Sequence, residues 1–379
     1  MLSVTIDGGE LKDAAGWAVR MCPGRPESPV LAGILLETGE NALTLSAYDY
    51  NTAGSTTAMA SVLGGGRALV SGRLLAAIAK TLDANKDVTL TEDGSGLVLT
   101  VGRNRWVLPA MPIEDYPALP DAGEVAAKID ADLFRRALTR VLPAADRTGV
   151  DPLKGAVSLT SAGQKLTIVG LDRYRMAVAE IDWQPAEDAT EIDLLVPTIF
   201  LDAGIHVLAP GAAAAEFGAT SGAVYLSGGS RSLTGRLVAG EWPEWRGLLP
   251  ADEQPIETIF EVAELARALD RVLAVADDER AVRFTMAPDG FTIETIHDKG
   301  SANADAPVVE YRGDGKEIAI KPKFLKEALG TMETDRAMLR TAEHPAARLN
   351  IAPVLANDEP EPGYRHIVMP MDPKKLLNR

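Results

Sequence analysis

The chain has 379 residues, 46% of them hydrophobic, and a formal net charge of −16. That length allows about two to four domains with real cores, and the composition is not that of a disordered chain. The acidic balance excludes a protein that coats nucleic acid by bulk positive charge, but not one whose positive charge is gathered on a single surface. Cys22 is the only cysteine, so an intramolecular disulfide is impossible and a reducing compartment is expected. The opening MLSVTIDGGELKD has neither a basic n-region nor an apolar h-region, and predicts no secretory leader. The most apolar stretch, 203–215, is rich in small residues and stops at Glu216, so no membrane span is expected. A soluble, cytoplasmic protein is the resulting expectation.

In chain order, GGELKDAAGWAVRMCPG (Gly8–Gly24) is predicted helical, NALTLSAYD a strand, and VSGRLLAAIAKTL (from Val70) a second helix. DVTLTEDGSGLVLTVGRNRWVL alternates apolar and polar residues around Gly- and Asp-containing turns, the pattern of antiparallel strands. A proline-rich joint follows at Pro117–Asp121. Then comes RALTRVLPAAD (Arg136–Asp146), with Leu133, Ala137, Leu138, Val141 and Leu142 on one helical face and Arg136 and Arg140 on another. KLTIVGLDRYRMAVAEI reads as strands and VPTIFLDAGIHVL (from Val196) as a helix. A second joint lies at Pro250–Pro255. RALDRVLAVAD (Arg267–Asp277) then repeats the earlier helix, including its arginines as Arg267 and Arg271, over a stripe of Leu265, Leu269, Val272 and Leu273. AVRFTMAPDGFTIETI gives strands, and IKPKFLKEALGTM (from Ile320) repeats the helices that begin near Val70 and Val196.

The chain therefore carries three copies of a unit of two helices and several antiparallel strands. The copies are too long for the common solenoid repeats and large enough to hold their own cores. Three α+β domains are expected, at 1–122, 123–253 and 254–379.

Catalytic signatures are absent from the sequence. The four histidines, His206, His297, His344 and His366, are scattered, and neither HExxH, CxxC nor GxSxG occurs. Gly64–Gly66 is followed by Arg67 and an apolar run, which makes it a strand turn and not a phosphate loop. The Asp277–Asp278 pair reads as part of a solvated face. No enzyme activity, cofactor or metal is expected. The six predicted helical segments hold about a quarter of the chain but about two fifths of its Lys and Arg. Solvated helices could give that count too. The repeated i,i+4 arginines point instead to a shared basic surface that touches phosphates without reading sequence.

Six segments, in order, resemble the β subunit of bacterial DNA polymerase III, the DNA sliding clamp. They are GRPESPVLAGILLE (Gly24–Glu37), LTLSAYDYNTAGS (Leu43–Ser55), MPIEDYPALP (Met111–Pro120), GLDRYRMAVAE (Gly170–Glu180), GEWPEWRGLLP (Gly240–Pro250) and YRHIVMPM (Tyr364–Met371). The resemblance covers essentially the whole chain. It implies three clamp domains, each with two helices packed on antiparallel sheets, and two chains joined head to tail as a homodimeric ring around duplex DNA. In such a ring the helices line the hole, so a helix written once per domain has a purpose. Arg25, at the matching place in the GRP segment, is implied to contact DNA. Helix position adds Arg73, Lys80, Arg136, Arg140, Arg267, Arg271, Lys321 and Lys323. At the implied dimer interface lie Trp106 and Leu108 from the first domain, with Leu273 and Ala274 from the third; core packing explains these four equally well.

The resemblance also implies a pocket that takes linear peptides from polymerases and the clamp loader. Its matching residues are Leu153, Leu171, Arg173, Tyr174, Arg175, Met176, Pro243, Leu248, Met369, Pro370 and Met371. Two features depart from the family pattern: Arg173-Tyr174 replaces Gly-His, and DPKKLLNR continues from Asp372. The function implied is that of a processivity factor; the alternative is a paralogous clamp whose altered pocket serves specialised partners or inhibitor resistance.

Overall fold

The computed structural model describes every residue except 95, 121–124, 147–152, 154, 188–190, 209–213, 276–280, 298–299 and 372–379, and leaves out the side chains of 296 and 297. The Asp277–Asp278 pair, the His297 side chain and the segment from Asp372 thus lie outside the described residues. Among those described there are six α-helices: α1 (Gly8–Ala18), α2 (Gly72–Lys80), α3 (Ala131–Val141), α4 (Thr198–Ile205), α5 (Val262–Leu273) and α6 (Pro322–Leu329). Each overlaps a segment that the sequence predicts to be helical. None is long and apolar enough to cross a membrane.

Local chemistry sets the helix ends. The Asp7 carboxylate accepts from Gly9 N and Glu10 N at 2.8 and 3.2 Å and caps α1. Asp130 accepts from Leu133 N at 2.8 Å at the start of α3, and Pro322 occupies the first turn of α6. The α-helices stop earlier than their apolar periodicity suggests. α3 gives way to a 3₁₀ turn at Leu142–Ala144, where Pro143 removes a backbone donor. α1 ends likewise in a 3₁₀ turn, Val19–Met21, just before Pro23.

The order of elements is finer than the triplication. Among the described residues, a strand, a helix and three strands recur six times, twice in each third, with the short strands Gln184–Pro185 and Glu310–Arg312 as additions. Glycines hold some of the hairpins. At Gly96 and Gly290 φ is 142° and 141°, and an added Cβ would fall 2.1 Å from Leu108 O and 2.7 Å from Ala306 O.

The chain divides into two compact units. The first comprises Met1–Arg135, Trp183–Thr190 and Ile199–Leu237; the second comprises Arg136–Asp182, Glu191–Thr198 and Val238–Arg379. Within the first unit a 13-stranded sheet runs through both the first third and part of the middle third. The join is strand Arg231–Arg236, paired antiparallel with Thr52–Gly64. Within the second unit a nine-stranded sheet is joined in the same way by Tyr364–Val368, paired antiparallel with Arg175–Asp182. A four-stranded sheet, ordered Gly300–Ala306, Gly290–His297, Val282–Ala287, Lys316–Ile320, completes that unit. Phe260, Leu265, Leu269, Phe284, Phe291 and Leu325 are buried together in its core. The two units do not coincide with the three expected domains, because each half of the middle third extends a neighbour's sheet.

Both joins obey one rule. The third strand after the second helix of one third pairs with the third strand after the first helix of the third before it. Two strands in the matching positions remain, Asn104–Pro109 and Gly300–Ala306. Each stands at the end of its sheet, with one side unpaired among the described residues.

A candidate partner cleft and candidate nucleic-acid contacts

In the second unit the antiparallel pairing of Arg175–Asp182 with Tyr364–Val368 sets Met176 opposite Ile367. Leu171, at the end of its own strand, pairs with Met176. These three side chains, with Val169 and Trp245, form a small apolar cluster onto which Trp242 and Leu249 pack. The cluster floors a cleft of about 140 Å³, lined by Leu171, Asp172, Arg173, Arg175, Met176, Leu248, Arg348, Ile367 and Met369. Leu248 and Met369 are exposed at its rim, at 39% and 36%.

The rim is held by hydrogen bonds. The Asp172 carboxylate accepts from Tyr174 N and Arg175 N at 2.7 and 2.9 Å and from Arg175 Nε at 3.1 Å. Arg175 also binds Glu327 and lies 4.5 Å from the centroid of the Phe324 ring. Its charge is therefore committed inside the protein; it is only 9% exposed. Met369 N donates to Tyr174 O at 2.7 Å, which ties the C-terminal segment to the Arg173-Tyr174 turn. Behind the cleft, His366 is fully buried, with Nδ1 3.2 Å from Tyr364 Oη. Burial, reinforced by the positive charge of Arg175, holds its pKa down at about 3.

Of the expected pocket residues, Leu171, Arg173, Arg175, Met176, Leu248 and Met369 meet in this cleft. The others lie around it or apart from its lining. Tyr174 stacks on Phe324 at 5.8 Å. Leu153 approaches Gly240, where an added Cβ would fall 3.0 Å from its Cδ1. Pro243 is exposed and Pro370 buried. Met371 forms an isolated bridge with Ala319, each amide donating to the other's carbonyl. Asp172, Arg348 and Ile367 are lining residues not anticipated from the sequence. Alternation along YRHIVMPM could have given Ile367. Arg348 lies in the irregular stretch before strand Leu349–Pro353, where no periodicity marks it.

The expected phosphate contacts separate into several environments. Arg25, Arg73, Lys80 and Arg271 are exposed. Arg73 donates to Gly24 O at 2.9 Å and so brings α2 to the GRP loop that carries Arg25. Burial raises the thiol of Cys22, in the same loop, to about 12 despite the opposing charge of Arg73. Arg136 lies 3.7 Å from Glu333, and Arg267 pairs with Glu264 on its own helix. Lys323 is half-buried, and Lys321 sits over the rings of Tyr174 and Phe324 at 5.3 and 5.5 Å, beside the cleft's rim.

Arg140 departs from the expectation of a solvent-facing cation. It is 5% exposed, makes a bidentate pair with Glu361 at 2.8 and 2.8 Å, and lies 4.9 Å from the Tyr364 ring. Of the residues expected at a dimer interface, Trp106 and Leu273 are half-buried and Ala274 is exposed. Leu108 is fully buried. Trp106 and Leu108 share one face of their strand, the face turned to the core, while Arg105 and Val107 face outward.

Models of the DNA polymerase III beta subunit match residues 2–120 (N-terminal domain), 128–244 (central domain) and 246–372 (C-terminal domain). The beta sliding clamp of Streptomyces coelicolor is 31% identical over 375 residues, covering 98% of this chain and 99% of the relative. That of Micrococcus luteus is 33% identical over 308 residues, 81% of this chain and 99% of the relative. The crystal structure of the Thermotoga maritima beta subunit superposes with a TM-score of 0.86 at 24% identity, over 98% of this chain and 99% of that one. The chain belongs to the beta-subunit family of DNA polymerase III, the bacterial beta sliding clamps.

Proposed function

We propose that this protein is the processivity clamp of a replicative DNA polymerase. It acts as a ring that encircles duplex DNA and holds polymerases through the cleft. The observation that carries the ring is the pairing rule of the sheets. Strands Arg231–Arg236 and Tyr364–Val368 have used two of three matching edges, and Asn104–Pro109 and Gly300–Ala306 remain unpaired on one side among the described residues. Pairing these two edges between two copies, head to tail, gives two identical heterologous contacts and closes a two-fold ring. The interface then rests on backbone edges, with Trp106, Leu273 and Ala274 near it and Leu108 left in the core. The three clamp domains of each chain are taken as 1–122, 123–253 and 254–379.

Arg25, Arg73, Lys80, Arg136, Arg267, Arg271 and Lys323 are assigned to the hole. Their task is to meet phosphates weakly and without sequence preference, so that the ring slides. Arg140 is assigned to internal stability. Nothing chemical is asked of the chain: it supplies tethering, and the polymerase supplies catalysis. The cleft suits short peptides, because Leu and Met side chains make an adaptable apolar slot.

A fluorescent peptide with Leu and Phe anchors tests the cleft. Micromolar or tighter binding, lost in Leu248→Ala/Met369→Ala, is expected. Equal binding by the variant would place the partner site elsewhere. Replacement of the cell's own clamp separates a replicative clamp from a specialised paralogue.

A further inference from the structure

The cleft is lined by charge opposite in sign to the chain's net charge. The chain has a net charge of −16, yet the cleft is lined by three arginines and one aspartate. Arg175 and Asp172 bind each other, and Glu327 takes the remaining face of Arg175. Arg173 and Arg348 have no ion-pair partner among the described residues, and they border the same slot as Leu248 and Met369. Charged groups at the rim of an apolar site act mainly on partner choice and encounter rate.

We infer that the cleft selects acidic partners: segments whose apolar anchors are flanked by Asp or Glu, with Arg173 and Arg348 as the specificity-determining residues. This rests on the reading of the cleft as the peptide site. The competing occupant is the chain's own DPKKLLNR, which offers Leu376 and Leu377 as anchors. Its Lys374, Lys375 and Arg379 outnumber Asp372, so its sign is wrong for this rim.

The test uses the full chain and three peptides of equal length with the same Leu and Phe anchors, flanked by Ser/Gln, by Asp/Glu or by Lys. At low salt the acidic peptide should bind about fivefold more tightly than the neutral one, and the basic peptide more weakly than either. The gap should narrow as salt is raised. Arg173→Glu/Arg348→Glu should reverse the order, whereas Arg173→Lys/Arg348→Lys should keep it. A variant ending at Met371 should also keep it.

Equal affinities for the three peptides, or an acidic preference that survives the double Glu variant, would overturn the proposal and leave the cleft as a neutral peptide site. A large and equal gain for all three peptides on removing 372–379 would make that segment the occupant and overturn it too. If none of the peptides binds the parent or the truncated chain, the cleft itself is not the partner site and both readings fall.

Discussion

α3 and α5 carry nearly the same sequence, RALTRVL and RALDRVL, and have different fates for one arginine. Arg140 is buried against Glu361 and Tyr364, while the matching Arg271 is exposed. The difference comes from the chain segments that neighbour each helix. Beside α3 lies the segment that carries Glu361 and leads into Tyr364–Val368, the strand that joins the second unit's sheet. Beyond α5 the matching sheet edge, Gly300–Ala306, has no strand on its outer side among the described residues. A repeated sequence thus encodes a repeated helix; its neighbours decide whether the same side chain holds the fold together or faces outward.

The largest expected difference between the two helices is in stability. Arg140→Ala leaves Glu361 without its bidentate partner and opens space under the Tyr364 ring, at a cost of about 3 kcal/mol. Arg271→Ala should cost less than about 0.5 kcal/mol. Urea unfolding of the two variants measures both, and equal losses would contradict the assignment of Arg140 to the interior.

The second effect sharpens the same region by pH. The unfolded His366 takes up a proton as pH falls through 6.5, whereas the folded one resists until about 3. Its contribution to stability is therefore complete above pH 6.5. It declines by about 1.4 kcal/mol per pH unit as pH falls from there toward 3. His366→Gln should flatten the profile in that window relative to the parent, even though carboxylates titrate there too. Parallel profiles would mean that His366 is not held neutral by burial.

The smallest effects belong to the exposed cations. Arg25→Ala, Arg73→Ala and Arg271→Ala should leave stability nearly unchanged. Each should lower the salt slope of equilibrium binding to linear duplex DNA by about one. Arg140→Ala should not change that slope.

The sequence makes the helices and most strands legible because their periods are short and local. Leu133, Ala137, Leu138 and Val141 mark α3 without help from the rest of the chain. Arg140 is not legible as a buried group, because its partner Glu361 stands 221 residues away. Amphipathic periodicity places both arginines off the apolar stripe and cannot say which of them meets another element. The cleft is half legible for a related reason. Leu171, Met176 and Met369 come from segments with recognisable patterns. Arg348 enters only through the pairing of Leu349–Pro353 with Tyr364–Val368. Leu108 shows the limit of alternation, which gives the face of a strand but not which face meets the core.

The most direct measurement of the central claim is retention on DNA of different topology. The protein would be loaded by its clamp loader onto nicked circular DNA, and the circle then cut once. An encircling ring should stay on the closed circle through a wash in high salt and leave after linearisation. Loss from the circle at high salt, or retention on the cut DNA with free ends, would contradict topological binding and with it the ring.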